Sequence, residues 1–570
     1  MTPLRLGLAL AVAGMTCLHG GGTAHAQDQQ DSHRGGTLRL TSRASAGTLD
    51  PQIDYATMYM RLFNVVYDGL LNFRKAQGPA GSELVPDLAE SLPETPDGGK
   101  TWIFTLRRGV RFSDGREVGL DDVVASLRRI FIVGSPTAGS FYGGIIGSDD
   151  CMRDPAHCTL ADGVQTDPAT RRITIRLKEP DAEFPQKIAF PHASILPADT
   201  PLHDVGNSPI PGTGPYHIVA YDPQQHMQLA RNPYFHAWNN DAQPDGYVDA
   251  ISYDFGLSDE DGVTAVENGQ YDWAFGNKPL DRLGELGARY TAQVHVQPLY
   301  GLYFLPMNVN LPPFNNLKAR QAVNYALDRR AMSILAGGSA LGTPLCSMVP
   351  PGLLPNDGQC AYTRDASPGH PAPAWRGPDL ERARQLVRES GTAGQDVTLV
   401  VAANAVDMSM GTYVRGMLQA IGYNAHVRSV SQTIHSTYIE NTDNHVQISL
   451  REWYADYPSP SNFLDTLLGC ENFHPHSDSS INISGFCNAQ VQQVMDRARA
   501  TVDPDAARAL WMQANDLITQ QSPGVPVIHM NYVDLVSKRL GNYFYTTLYH
   551  MIFFCGCRPL CKSFLTHIDV

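Results

Sequence analysis

Apolar and polar residues alternate over residues 101–106, where Trp102, Phe104 and Leu106 share one parity, and again at Ile173, Ile175 and Leu177. A period of two belongs to a strand with one buried face. Further strands are predicted over residues 302–309, 397–401 and 526–529. Elsewhere the spacing is helical. Leu62, Val65, Val66, Leu70 and Phe73 predict a helix within residues 60–73, and Val124, Leu127 and Phe131 predict one within 121–131. Ala319, Ala322, Val323, Ala326 and Leu327 predict a single amphipathic helix over 318–335. Asn488 is placed to cap one late helix, and Asp503-Pro504 starts another in the favoured cap-then-proline order. After a Pro/Gly-rich stretch, residues 342–378, helix and strand patterns alternate as in an α/β domain.

One stretch combines this patterning with chemistry. Val446, Ile448 and Leu450 alternate with polar neighbours, and Trp453 and Tyr454 then run into a lone acid, Asp456. Pro458 and Pro460 bar regular structure just beyond it. Phe463, Leu464, Leu467 and Leu468 predict a helix that Ser461 is placed to cap. A carboxylate beside aromatic faces at a strand end suits capture of a cationic group. The acid supplies charge, and the rings exclude water and offer π-faces. The plainer reading is a surface acid in a Pro-rich loop, and local chemistry does not separate the two.

The ends of the chain read differently from its middle. Arg5, the apolar run 6–18 and Ala24-His25-Ala26 make an export leader, with cleavage expected after Ala26. A lipid anchor on Cys17 is the rival, disfavoured by Thr16 before it. The expected location is the periplasm. The net charge of −14 offers no basic footprint, so no nucleic-acid partner is expected. Three local cysteine pairs, Cys151 with Cys158, Cys346 with Cys360 and Cys470 with Cys487, each bracket a loop-like stretch. In an oxidising compartment they read as disulfides, each contributing on the order of 2–3 kcal/mol.

Catalytic motifs fail. Gly99-Lys100-Thr101 lacks the earlier glycine of a phosphate loop, and no G-x-S-x-G occurs. His474 and His476 have no third ligand in view, and Cys555, Cys557 and Cys561 crowd a short tail. Neither an enzyme, a cofactor nor a metal site is expected.

Four segments resemble one family in order and spacing: residues 84–130 (LVPDLAESLPETPDGGKTWIFTLRRGVRFSDG onward), 212–235 (GTGPYHIVAYDPQQHMQLARNPYF), 311–332 (LPPFNNLKARQAVNYALDRRAM) and 453–468 (WYADYPSPSNFLDTLL). The chain is similar to the extracytoplasmic solute-binding proteins of ABC importers, peptide/nickel family. The resemblance implies an α/β, two-lobed periplasmic binding protein fold with a ligand cleft between the lobes and a discontinuous lobe I carrying an inserted subdomain. It implies a leader at 1–26, lobe I at 27–305 with the insert at about 72–189, lobe II at 306–519, a return to lobe I at 520–552, and an atypical tail at 553–570.

It also implies a monomer that closes on a peptide by hinge motion and delivers it to inner-membrane ABC permease subunits. The alternative is a non-peptide solute: a nickel chelate, a glycoside or an opine-like compound. Asp456 would pair with a peptide α-amino group. Glu452, Trp453 and Tyr454 would form the strand that pairs with the peptide backbone, and Tyr55, Ala56 and Thr57 would face it across the cleft. Arg451 is the candidate for the peptide carboxylate.

Overall fold

β1 (Thr37–Ser42) buries Leu38 and Leu40, and α1 (Thr57–Phe63) follows after the Thr48-Leu49-Asp50-Pro51 turn. The computed structural model describes residues 35–551 except 276–281, 356–357 and 542, without the side chains of Thr57, Met58, His550 and Met551. The expected leader and tail lie outside the described residues. After α1 the chain leaves β1 for a separate antiparallel sheet. There β2 (Thr101–Thr105), α2 (Leu120–Ile132), β3 (Val164–Asp167) and β4 (Arg172–Arg176) build an antiparallel sheet ordered β2-β4-β3 with α2 beside it. It returns through β5 (Tyr216–Asp222), β6 (His226–Arg231), β7 (Ala250–Phe255) and β8 (Trp273–Ala274). These complete a sheet ordered β8-β1-β7-β6-β5, with β1 parallel to β7 and β8.

β9 (Val294–Pro306) leads into a run of helices and strands. There come α3 (Leu317–Ala326), α4 (Arg329–Leu335), β10 (Gly342–Pro344), β11 (Asp396–Ala402), α5 (Ala405–Ile421), β12 (Asn424–Val430) and β13 (Ile448–Ser449). β12-β11-β13 is a parallel sheet. β14 (Arg451–Tyr454) and α6 (Ser461–Leu468) follow, and β15 (Gly524–Leu535) runs back.

β9 and β15 form a long antiparallel pair. Their outer halves pair from Val294 with Leu535 to Pro298 with Asn531, and their inner halves from Leu302 with His529 to Pro306 with Gly524. The register is irregular between Pro298 and Leu302. Leu535 packs with Val263, Val266 and Ala274, whereas Leu305 and Val525 pack with Val397, Leu399 and Val414. The same two strands therefore end in two different hydrophobic cores.

Two helix expectations change. The pattern over 60–73 is helical only to Phe63; Leu71–Phe73 is a strand. The carbonyls of Val65 and Val66 accept instead from the amides of Tyr216 (3.1 Å) and Gly214 (3.0 Å), so the chain satisfies them outside a helix. Added Cβ atoms on Gly212 and Gly214 would lie 1.9 Å and 2.4 Å from those carbonyl oxygens, which is why glycine stands at both positions. The expected single helix over 318–335 breaks at Leu327-Asp328. The Asp328 carboxylate accepts from the amides of Arg330 and Ala331 and starts α4 as a new cap. The buried guanidinium of Arg329 then donates to the carbonyls of Leu345 and Pro526, both at under 3 Å.

Cys151–Cys158, Cys346–Cys360 and Cys470–Cys487 form the three disulfides, with Cα–Cα distances of 4.3, 5.0 and 4.7 Å. Non-reducing peptide mapping of the exported protein is expected to recover these pairs. Six free thiols or crossed pairs would contradict this arrangement.

Candidate functional site

β14 is an edge strand. In the sheet ordered β10-β15-β9-β14 it pairs with β9 on one side, and among the described residues no strand lies on the other. The amide of Ala455 donates to the carbonyl of Tyr300 at 2.8 Å. Because strand main-chain groups alternate in direction, Trp453 and Arg451 also face β9, and Glu452 and Tyr454 turn their N–H and C=O groups to the unpaired edge. An unpaired edge is a template for another extended backbone.

Asp456 sits where this strand ends. It is only 7 % exposed. Oδ1 accepts from the Tyr55 hydroxyl at 2.8 Å, and Oδ2 accepts from Asn462 Nδ2 at 3.0 Å. Asn462 Oδ1 in turn accepts from the Asp456 amide at 3.0 Å and from Trp453 Nε1 at 3.1 Å. Burial pushes the Asp456 carboxyl up to about 6, and the hydrogen bonds from Asn462 and Tyr55 pull it partly back. Both donors are neutral, so the charge on this buried acid is left without a compensating cation in these contacts. Pro458 and Pro460 keep the intervening chain irregular, which lets α6 present Asn462 back to the strand end.

Tyr55 precedes α1 and Asp456 follows β14, so their hydrogen bond joins segments 401 positions apart in the chain. The Tyr55 ring packs against Phe190 and His192 at centroid distances of 5.9 and 5.3 Å. His192 Nε2 lies 3.0 Å from the carbonyl of Asp54, and Nδ1 lies 2.8 Å from Thr137 Oγ1. Burial holds this imidazole down to about 4, so it stays neutral. A second long-range contact is Glu183, whose carboxylate accepts from the hydroxyls of Ser459 and Ser461. A third is Phe141 against Tyr457, at 5.4 Å between ring centroids.

The expected site residues separate into groups. Asp456, Trp453 and Tyr55 converge, but Tyr55 does so through its hydroxyl. Ala56 is exposed, with its amide on Asp54 Oδ1 at 2.9 Å, and Thr57 opens α1. Glu452 and Tyr454 line the unpaired edge, with the Tyr454 hydroxyl 3.4 Å from Glu452 Oε2. Glu452 is open to water, yet protein surrounds it on most sides, and that partial desolvation raises its pKa. Arg451 is held elsewhere: Nη2 pairs with Glu440 at 3.2 Å and Nη1 donates to Ser436. Its charge is engaged by Glu440, 11 positions earlier in the chain. Ser461 starts α6 without capping it, because its hydroxyl goes to Glu183. His476 pairs with Asp443, Nδ1 to Oδ1 2.6 Å. Sequence reasoning missed Asn462 and Glu183. Asn462 stands six residues beyond Asp456 in the first turn of a helix, a spacing that acquires meaning only once the proline loop folds back.

Residues 83–475, more than half of the chain, match the middle region of the bacterial extracellular solute-binding proteins, family 5. The chain belongs to this family. It is 25 % identical over 504 residues to the glutathione-binding protein GsiB of Salmonella choleraesuis (strain SC-B67), covering 87 % of this chain and 89 % of that one. It is also 25 % identical over 538 residues to a dipeptide-binding protein of Pseudomonas aeruginosa, covering 90 % and 93 %. Among solved structures, the clavulanic acid biosynthesis oligopeptide binding protein 2 superposes with a TM-score of 0.77 at 24 % identity, over 88 % of this chain and 92 % of that one. The two-lobed α/β fold of the family is therefore the fold of this chain. No described helix is long and apolar enough to cross a membrane.

Proposed function

We propose that this protein is the solute-binding component of an ABC importer and takes short peptides between its lobes. The observation that supports this most is a buried carboxylate with only neutral partners at the end of a strand whose other edge is unpaired. The acid suits a peptide α-ammonium, and the edge suits a peptide backbone. Relatives named for binding dipeptides and glutathione favour the same class of solute. β9 and β15 are the connections about which the lobes would close, and the lobe boundaries at about 305 and 520 rest on them. Location in the periplasm after cleavage beyond Ala26, a monomeric state, and delivery to permease subunits complete the proposal. The second reading is a non-peptide solute carrying a cationic group, such as an opine-like compound.

The test is calorimetric titration with tri-L-alanine, with mass spectrometry of any solute that co-purifies. Saturable binding of the tripeptide supports the peptide reading; a co-purified non-peptide solute together with no peptide binding overturns it.

The Asp456 carboxyl adds a pH signature. Ammonium capture needs the ionised acid, and the free protein titrates at about 6. The peptide amine stays charged well above that pH. Affinity is therefore present at pH 7 and is lost as pH falls through 6, by roughly tenfold between pH 7 and pH 5. Asp456→Asn should flatten this profile, which separates it from titration of Glu452. An unchanged profile would show that another group carries the dependence.

A further inference from the structure

We infer that Asp407 and Glu452 form a second cation site beside the unpaired edge of β14 and select peptides that carry a basic side chain beyond their first residue. The inference rests on the peptide reading above, in which Asp456 holds the ligand's amino group.

The two acids meet where the parallel sheet ends. β11 hands the chain to β12 on one side, and the chain comes back to β13 on the other, so the carboxyl ends of β11 and β13 flank the point where the connections diverge. In open α/β sheets that crevice is where solutes bind. Val400 pairs with Ser449, and the Leu450 amide donates to the Val400 carbonyl at 3.1 Å. Carried on past Ser449, this register brings Arg451 and Glu452 to Ala402 and Ala403, and α5 starts at Ala405 with Asp407 in its first turn. Glu452 also lies opposite Tyr303 of β9, and Tyr303 packs on the same hydrophobic core as Val406, the neighbour of Asp407. The charges register this closeness. Burial and then the Glu452 carboxylate push the Asp407 carboxyl up to about 6, and the Asn404 side chain pulls it partly back.

Asp407 is 7 % exposed, and its Oδ1 is buried without a hydrogen-bond partner. The plain duty of an acid at this helix position, reaching back to the cap amide, is not taken up. The Asn404 amide donates instead to the Ala402 carbonyl at 2.9 Å. Glu452 meets tyrosine hydroxyls, that of Tyr454 at 3.4 Å. Arg451, the neighbouring cation, is committed to Glu440 and Ser436. Two close carboxylates repel, and a buried acid without a partner is costly. A cation brought by a ligand relieves both, and the rings of Tyr303 and Tyr454 offer it π-faces. No third metal-ligating side chain joins the pair among the described residues, so it suits an organic ammonium or guanidinium. Glu452 is four residues from Asp456, about 13 Å along an extended strand. A peptide whose amino group is at Asp456 and whose backbone follows β14 places its second and third residues within that span, at roughly 3.5 Å per residue. A lysine or arginine side chain covers the remainder.

Ala-Arg-Ala and Ala-Ala-Arg are titrated by calorimetry beside their citrulline counterparts, which keep the shape and lose the charge. The proteins are wild type, Asp407→Asn, Glu452→Gln and the double variant, with thermal melts to check folding. At least one arginine peptide is expected to bind wild type roughly tenfold or more tighter than its citrulline counterpart, as a close charge pair gives. Each single substitution should reduce this preference, and the double substitution should bring it below about threefold while leaving the citrulline peptides nearly unaffected. If neither arginine peptide is preferred by wild type, or the preference survives the double substitution, the cation site is overturned. The wild-type comparison decides this even if a variant does not fold. Tri-L-alanine separates the two failures. Its binding without any preference for arginine leaves the peptide reading standing and removes the site, whereas no binding of any peptide removes both.

Discussion

Replacing Asp456 with alanine is expected to weaken tripeptide binding by roughly 30-fold to several thousand-fold and to leave the fold intact. The ligand ammonium would enter a site where the acid is 7 % exposed and shares its oxygens only with Tyr55 and Asn462. Losing one partner of such a pair costs roughly 2–5 kcal/mol, and each ~1.4 kcal/mol is tenfold in affinity. Folding should change little, because an acid whose pKa burial has raised to about 6 is not itself a strong source of stability. Asp456→Asn should be milder, since its amide oxygen still accepts. Acetylating the peptide N-terminus should cost wild type a similar factor and add little to the loss in Asp456→Ala. Calorimetry on this two-by-two set checks it. Losses that simply add would mean that Asp456 does not hold the amino group.

The other large effect is on stability, at Asp50. Its carboxylate meets Arg129 at 2.9 and 2.5 Å, with side chains 0 % and 2 % exposed. Asp50→Ala leaves that guanidinium buried with only Gln52 and two carbonyls, and is expected to cost about 3–5 kcal/mol in denaturant unfolding. It should also weaken peptide binding. Asp50 Oδ1 accepts from the Gln52 amide at 3.1 Å, and the substitution removes this contact from the turn that leads to Tyr55. Adding Arg129→Met should restore much of the stability, because it removes the stranded charge. A loss under about 1 kcal/mol for Asp50→Ala would show that the pair is not what holds this turn.

Legibility in the sequence followed the range of the interactions. Strands with one buried face, as at Trp102 and Phe104 or Ile173 and Ile175, were plain because burial on one side imposes a period of two on the residues themselves. Caps such as Asn488 and Asp503, which act within three residues, were equally plain. So were the disulfide pairs, whose partners are 7, 14 and 17 residues apart. The helix expected over 318–335 failed because a local cap at Asp328 and distant carbonyls at Leu345 and Pro526 compete with helical continuation, and only the first of these is local.

The candidate site divides in the same way. Trp453, Tyr454 and Asp456 stand together in the chain, so their association with an acid-and-aromatic site was visible there. That Asp456 is buried, that Tyr55 reaches it across 401 positions, and that Glu183 holds Ser459 and Ser461 from 276 and 278 positions away belong to the tertiary structure. So does the fate of two charges. Arg451 lies beside the site in sequence, yet Glu440 engages it; Asp407 lies in α5, outside that stretch, yet the fold leaves its Oδ1 buried without a partner. By itself the sequence determined the half-buried strands, the local helix caps, which cysteines pair, and which acid follows the aromatics of β14, because each depends on side chains a few residues apart. Which charges are left uncompensated was decided only by the tertiary structure, because compensation depends on what the rest of the fold brings within about 4 Å, where the interaction is strong.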